Sequence, residues 1–215
     1  MSVPQRLVRS YVRRERPFKD NQKTDWERLW ALYGISRDAW ASAVGAQPAI
    51  LDIGFGDGEA LLGMASRDAE HTYIGVEMYR SGLLKVMRGA ERERLSNVRV
   101  IEADAKEVVA ALAAQSVAGV HLFFPDPWPK ARHHKRRLVT ESFIEALVRV
   151  LRPAGIIHMA TDWPDYATQA AGHFAGCTAL EPLDQDRNGR PETRFERRGW
   201  CLGHVSFDLR YRRTG

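Results

Sequence analysis

The stretch AILDIGFGDGEALLGMAS (residues 49–66) decides the fold. Its first part, residues 49–54, is a short apolar run of the kind found in buried strands. Its last part, residues 58–66, has the apolar pattern of a helix, and a G-x-G-x-G turn joins the two. A buried strand followed by a helix is the repeating unit of a parallel sheet.

The same alternation continues along the chain. Further buried strands are predicted at residues 72–77, 98–104, 119–126 and 155–162, and helices at 80–94, 105–115 and 139–151. We therefore predict an α/β fold, a doubly wound and mostly parallel Rossmann-like sheet with helices on both faces and right-handed crossovers. Residues 204–211 alternate with period two, which favours a late antiparallel or edge strand.

The 215 residues suit one domain, which we place at 21–215 behind a basic, mobile arm at 1–20. Within TDWERLWALYG, Thr24 and Glu27 have capping-box spacing and predict the start of a helix that Gly34 ends. Its apolar face is predicted to contain Trp26, Leu29, Trp30, Leu32 and Tyr33.

Composition narrows the class of protein. Lys and Arg number 32 against 27 acids, and this excess favours an anionic partner.

The two cysteines, Cys177 and Cys201, fit no metal or disulfide pattern, and we interpret them as packing residues. No apolar stretch is long enough for a secretory signal or a membrane span, so we expect a cytoplasmic protein that contacts no membrane.

Each predicted parallel strand ends in or near an acid. These acids are Asp52, Glu77, Asp104, Asp126 and Asp162. A single acid at a strand end can simply cap the following helix. Five of them at the edge where open α/β sheets bind ligands predict a site instead.

The glycine loop indicates the kind of ligand. Glu59 stands where the dinucleotide fingerprint has its third glycine, and Asp52 and Asp57 flank the loop. These carboxylates would repel a pyrophosphate, which disfavours a nicotinamide cofactor. S-adenosylmethionine, a cation without phosphate, fits better. Glu77 is spaced to accept from its ribose hydroxyls, and Asp104 is placed to accept from its adenine amino group.

The stretch FFPDPWPKARHHKRR (residues 123–137) combines a rigid turn with a basic run. Pro125 and Pro127 restrict the backbone around Asp126 and hold its carboxylate in one direction. Trp128 offers a face for stacking on a base, or packs in the core. Five cations follow within eight residues without an acid, which is typical of phosphate contact. The adjacent His133 and His134 do not share a helix face, so no metal site is predicted.

The proline turn and its basic run resemble the signature of the bacterial tRNA (guanine-N7)-methyltransferases. Other blocks agree with this resemblance, which runs from about residue 9 to 211: RSYVRRERP, LDIGFGDG, GVEMYR, ATDW and TRFERRGWCLGH. One departure is Asp52, where the family more often has Glu.

The resemblance implies transfer of a methyl group to N7 of a guanine in the tRNA variable loop, at position forty-six in conventional tRNA numbering. It implies that Asp126 is catalytic. The methyl donor would contact Asp52, Gly54, Glu77, Asp104 and Asp126. The substrate would contact Lys130, Asp162, Thr193, Arg194, Phe195 and Glu196. The RNA would contact Arg132, His133, His134, Lys135, Arg136 and Arg137. Apart from tRNA we expect no obligate partner, and a monomer or homodimer.

Three alternatives stay open at this point. The first is a methyltransferase of the same fold that acts on a small molecule or a protein. The second is a non-catalytic RNA-binding or scaffold protein with a vestigial donor site, and the third is a nicotinamide oxidoreductase. The segments NQKTD and DRNGRP are predicted to be polar loops without a function.

Overall fold

A seven-stranded sheet forms the centre of the protein in the computed structural model, which describes residues 17–42, 44 and 47–215. The strands are β1 Ala49–Ile53, β2 Thr72–Glu77, β3 Val98–Glu102, β4 Val117–Phe123, β5 Leu151–Thr161, β6 Leu180–Pro182 and β7 Phe207–Arg213. Their order across the sheet is β3-β2-β1-β4-β5-β7-β6. The first five strands are mutually parallel, and β7 runs antiparallel to both β5 and β6. The predicted mostly parallel sheet with a late antiparallel strand is therefore confirmed.

Helices cover both faces of the sheet. They are α1 Asp20–Tyr33, α2 Glu59–Ala65, α3 Arg80–Arg92, α4 Ala105–Ala111, α5 Glu141–Val150, α6 Pro164–Ala175 and α7 Arg194–Trp200, with 3-10 helices at Arg37–Ser42 and Ala131–Arg136. One apolar core lies under α1, α2 and α3, and a second lies under α4, α5 and α6. The strands contribute apolar side chains to both cores, as expected for a sheet that is covered on its two faces.

The chain changes direction across the sheet after β3. It moves outward from β1 through β2 to β3, then crosses back to place β4 on the other side of β1. In such sheets the crevice at the carboxyl ends of the two strands beside this reversal is the usual ligand site. Here that crevice lies between the ends of β1 and β4.

Several boundaries differ from the sequence expectations. Helix α1 begins at Asp20, where the backbone N–H of Lys19 donates to Oε1 of Gln22 at 3.0 Å, so the predicted Thr24 cap is wrong and NQKTD is helical. Leu32 does not belong to the buried face, because 58% of it is exposed. Of the predicted arm, residues 1–16 lie outside the described residues.

The end of the chain was the least well predicted part. Helices α6 and α7 and the short edge strand β6 were not predicted from the sequence. The late strand was predicted at 204–211 as antiparallel or at the edge; it is antiparallel, and β6 occupies the edge beside it. In the part of the chain that is described, every helix is too short or too polar to cross a membrane.

Candidate active site

The glycine loop after β1 takes a shape that only glycine adopts without strain. Gly54, Gly56 and Gly58 all have positive φ, of 71°, 57° and 77°. A Cβ on Gly58 would lie 2.0 Å from Cγ2 of Val86, so α3 packs directly against the loop. The loop therefore lies in close contact with the helix α3.

Asp52 stands two residues before this loop. It lies within β1, pairs in register with Gly75 and His121, and is only 1% exposed. Neither carboxylate oxygen has a hydrogen-bond partner among the described residues. Burial, with a smaller contribution from the charge of Glu77, raises the pKa of Asp52 to about 7. A buried carboxylate without a partner is costly, and this cost is relieved when a cationic ligand binds beside it.

The next two predicted acids lie at the ends of β2 and β3. Oε1 of Glu77 accepts from the backbone N–H of Met78 at 2.6 Å, and Oε2 accepts from that of Gly56 at 3.2 Å. Burial raises the pKa of Glu77, and these backbone hydrogen bonds partly oppose that rise. Asp104 caps α4 by accepting from the N–H of Lys106 at 2.9 Å. Both side chains are thus fixed in direction by the backbone that follows them.

Two cavities meet at the glycine loop. The first, of about 420 Å³, lies between the loop and α7, and Asp52, Phe123 and Phe195 line it. The second, of about 290 Å³, lies between the ends of β2, β3 and β4, and Glu77, Asp104 and Asp126 line it. The cavities share Gly54, Gly56 and Phe124. The four predicted donor-binding acids therefore line two adjoining cavities, which together form the crevice beside the glycine loop.

The proline turn has an unusual backbone. Phe124 and Trp128 have φ of 53° and 45°, a region that costs non-glycine residues about 1–3 kcal/mol. The N–H of Phe124 donates to the carbonyl of Ala160 at 2.7 Å, which ties the turn to β5. Asp126 lies exposed on the rim of the second cavity, where partial desolvation by neighbouring protein raises its pKa. The strained turn thus presents this carboxylate at the mouth of the crevice.

Arg137 is the residue of the basic run whose position differs most from the sequence expectation. It was predicted to contact RNA, but it is 1% exposed. Its guanidinium donates to the carbonyl of Pro127 at 2.9 Å, to Asp165 at 2.6 Å and to Gln169. It also lies over the ring of Tyr166, 4.9 Å from the centroid. Arg137 therefore holds the proline turn against α6 and is unavailable to a phosphate in this structure.

The other cations of the run remain near solvent. Arg132 and Lys135 are exposed on the 3-10 helix, and Lys130 is exposed just before it. The guanidinium of Arg136 lies 4.8 Å from the ring centroid of Trp128, so an arginine covers the face that was considered for base stacking. His133 approaches the same ring edge-on at 5.8 Å.

Helix α7 covers the first cavity. Thr193, Arg194 and Phe195 line that cavity, as their predicted role in substrate contact requires. Glu196 differs from its prediction, because it is 1% exposed and turns away from the cavity into ion pairs with Arg187 and Arg190. Its predicted contact with substrate is not available in this arrangement.

Asp162 follows β5 directly and is half-buried. Its Oδ2 lies 2.9 Å from Nδ1 of His204, in the loop between α7 and β7. Neither Asp162 nor Lys130 lines the two cavities described above.

Sequence reasoning missed four residues around the site. Phe55 and Arg198 line the first cavity, His204 contacts Asp162, and Arg190 is buried under Phe123 and Phe124. Arg190 belongs to DRNGRP, which was interpreted as a loop without a function. A polar loop and a segment that buries one arginine look alike in sequence, so only the fold separates them.

Comparisons with known proteins agree with this architecture. A family model described as "Putative methyltransferase" matches residues 46–209. Solved structures with the same fold include the 16S rRNA methyltransferase KamB, with a TM-score of 0.60, 18% identity and coverage of 93% of this chain and 96% of that one. A 16S rRNA (adenine(1408)-N(1))-methyltransferase from Catenulisporales acidiphilia has a TM-score of 0.55, 16% identity and coverage of 84% and 94%. These likenesses identify the sheet as a methyltransferase fold.

Sequence relatives are more specific. A tRNA (guanine-N(7)-)-methyltransferase of Alkalilimnicola ehrlichii is 43% identical, over 97% of this chain and 93% of the relative. One from Nitrosococcus oceani is also 43% identical, over 99% and 94%. Identity at this level along nearly the whole length leaves one conclusion: the chain belongs to the tRNA (guanine-N7-)-methyltransferase family.

Proposed function

We propose that this protein transfers the methyl group of S-adenosylmethionine to N7 of a guanine in the variable loop of tRNA. The observation that carries the proposal is the pair of adjoining cavities beside the glycine loop, which four acids line and the first of which α7 covers. Membership of the family supports the reaction, and the basic run next to the crevice supports an RNA substrate.

The residues of the crevice fit the proposed donor. The unpartnered carboxylate of Asp52 suits a ligand that brings positive charge, since an ion pair there relieves the cost of burial. Glu77, already oriented by backbone N–H groups, has lone pairs left for ribose hydroxyls. Asp104 is placed for the adenine amino group. The bound donor supplies an electrophilic methyl group, and these side chains hold it in one orientation.

Asp126 is the proposed catalytic residue. Guanine N7 carries an in-plane lone pair at neutral pH, so no proton has to leave before it attacks. The site must instead hold N7 about 3–3.5 Å from the methyl carbon and in line with the bond that breaks. Positive charge develops on the purine as the methyl group moves, and a carboxylate accepting from the guanine N1–H and amino group stabilises it. The exposed position of Asp126 at the mouth of the crevice supports this role.

The substrate side of the site is proposed to comprise Thr193, Arg194 and Phe195 on α7, with Lys130 and Asp162 on the neighbouring rim. The exposed cations Arg132 and Lys135, with Arg136, are proposed to contact tRNA phosphates. Electrostatic contacts of this kind position an RNA without reading its sequence. Base selection would then depend on the carboxylates of the crevice.

A transfer experiment tests this function directly. Unmodified tRNA is incubated with the protein and labelled S-adenosylmethionine, digested with nuclease and analysed by mass spectrometry. N7-methylguanosine in the variable-loop fragment is the expected product. A methyl group on another base, or no transfer while both ligands bind, would refute the proposal, and the second result would favour a non-catalytic RNA-binding protein.

A further inference from the structure

Arg190 lies at the centre of a buried polar cluster behind the active site. It is 1% exposed, although it stands in a polar segment between β6 and α7. Its guanidinium forms two-pronged contacts with two carboxylates. The contacts to Glu196 are 2.7 and 3.0 Å long, and those to Asp208 are 2.8 and 2.9 Å long. An arginine can serve two carboxylates in this way because its five N–H donors lie in one plane.

Each partner of Arg190 belongs to a different element. Glu196 is on α7, and it also closes the N-terminal capping box of that helix by accepting from the N–H of Thr193 at 3.2 Å. Asp208 is on β7, where hydrogen bonds from His158 and Arg190 outweigh the effect of burial and bring the pKa of its carboxyl down to about 2. Arg190 thus links the helix that covers the cavity to the central sheet.

The faces of the guanidinium make a third connection. Its carbon lies 5.3 Å from the ring centroid of Phe123 and 5.2 Å from that of Phe124. Phe124 has the strained backbone described above and lies two residues before Asp126. Its ring contacts that of Phe195 on α7, with 5.2 Å between centroids. The end of β4 and the first turn of α7 therefore contact each other, and both also contact the same buried arginine.

We propose that Arg190 is a positioning residue that sets α7 over the cavity and holds Phe124, and with it the Asp126 turn, in its strained conformation. Arg190 does not line either cavity, so it acts through Glu196 and Phe124. This inference rests on the proposed function, because it assigns to α7 and Asp126 the placement of the guanine. Glu196 is then a residue that holds the helix from inside, which is compatible with its burial.

The variant Arg190→Lys tests the inference. An ammonium retains the charge but cannot contact both carboxylates in two-pronged fashion. We expect the single-turnover rate at saturating tRNA and donor to fall more than tenfold, while the Kd for S-adenosylmethionine changes less than threefold. Asp208→Asn weakens the same contact from the sheet side and is expected to lower the rate in the same way. It provides the measurement if Arg190→Lys does not fold.

Limited trypsin digestion separates a positioning role from a general loss of stability. Helix α7 carries the exposed residues Arg197 and Arg198, where trypsin can cut. A protease cuts locally unfolded backbone much faster than docked helix, so undocking of α7 should speed cleavage there. We expect both variants to be cut there at least tenfold faster than the wild type. The control is Leu147→Ala, a core change in α5 that lowers global stability without touching this cluster. It is expected to leave cleavage within α7 and the single-turnover rate near wild type at a temperature where it stays folded.

Two results would overturn the inference. One is an Arg190→Lys protein with wild-type turnover and wild-type cleavage at α7. The other is a loss of turnover that Leu147→Ala reproduces, since that would reduce Arg190 to a stability role. A wild-type protein that transfers no methyl group would instead refute the proposed function, and the digestion would still report whether Arg190 holds α7.

Discussion

Replacement of Asp52 by asparagine should stabilise the donor-free protein at alkaline pH. Asp52 is fully buried, its two oxygens have no partner among the described residues, and burial raises the pKa of its carboxyl to about 7. Asparagine has nearly the same shape and carries no charge. The change Asp52→Asn therefore removes the charge without removing packing.

The size and sign of the effect follow from proton linkage. The folded pKa of about 7 lies above the ordinary value of 3.8, so the folded protein binds this proton more tightly than the unfolded chain. Stability therefore falls as pH rises from about 4 to about 7, and the full penalty is present above pH 7. At about 1.36 kcal/mol per pH unit the penalty reaches about 4 kcal/mol, and water that enters the crevice reduces it. The variant should gain up to this amount at pH 8 and nothing near pH 4.

Urea unfolding between pH 4 and pH 8 measures this difference for the wild type and the variant. Asp57→Asn is the control, because Asp57 lies in the same loop but is exposed and paired with Lys85. It should not reproduce the gain in unfolding free energy at pH 8. A variant at Asp52 that is equally or less stable than the wild type at pH 8 would show that the carboxylate has a partner or is well hydrated. A proposed donor contact also requires that Asp52→Asn weaken S-adenosylmethionine binding while it stabilises the fold.

Four further substitutions test other parts of the site. Lys135→Gln should remove one phosphate contact, and the plot of the logarithm of the tRNA binding constant against the logarithm of salt concentration should become less steep by about that one contact. Arg137→Gln should leave this slope unchanged and lower turnover, because Arg137 is buried against Pro127 and Asp165. Equal slopes for the two variants would contradict this division. Asp126→Asn should lower the single-turnover rate about 100-fold or more when donor and tRNA are saturating, measured by rapid quench, and full turnover would remove its catalytic role. Gly58→Ala should lower the free energy of unfolding in urea by more than about 1 kcal/mol, because φ of Gly58 is 77° and the new methyl group would meet Val86. An unchanged urea midpoint would contradict the close packing of α3 on the loop.

The order of strands and helices through residue 161 could be predicted from the sequence. Runs of apolar residues between glycine turns and amphipathic helices carry a local signal, because each strand is buried on both faces and each helix on one. The acids at the strand ends followed from the same reasoning, since parallel strands bring their carboxyl ends to one edge. Asp52, Glu77, Asp104, Asp126 and Asp162 were grouped for that reason, and all of them except Asp162 line the two cavities.

The roles of Arg137, Arg190 and Glu196 depended on contacts distant in sequence. Arg137 lies 28 residues from Asp165, and Arg190 lies 18 residues from Asp208. A charged side chain in a basic segment has the same local pattern whether it faces solvent or a buried carboxylate. Its burial is decided by the element that packs over it.

The sequence by itself therefore determined the sheet, the glycine loop and the edge at which the acids gather, because these depend on periodicity and on residues close together in the chain. Only the tertiary structure decided which charges line the cavities and which are buried in ion pairs. A buried ion pair needs two segments folded against each other and desolvated together, and that condition is met in space and not along the chain.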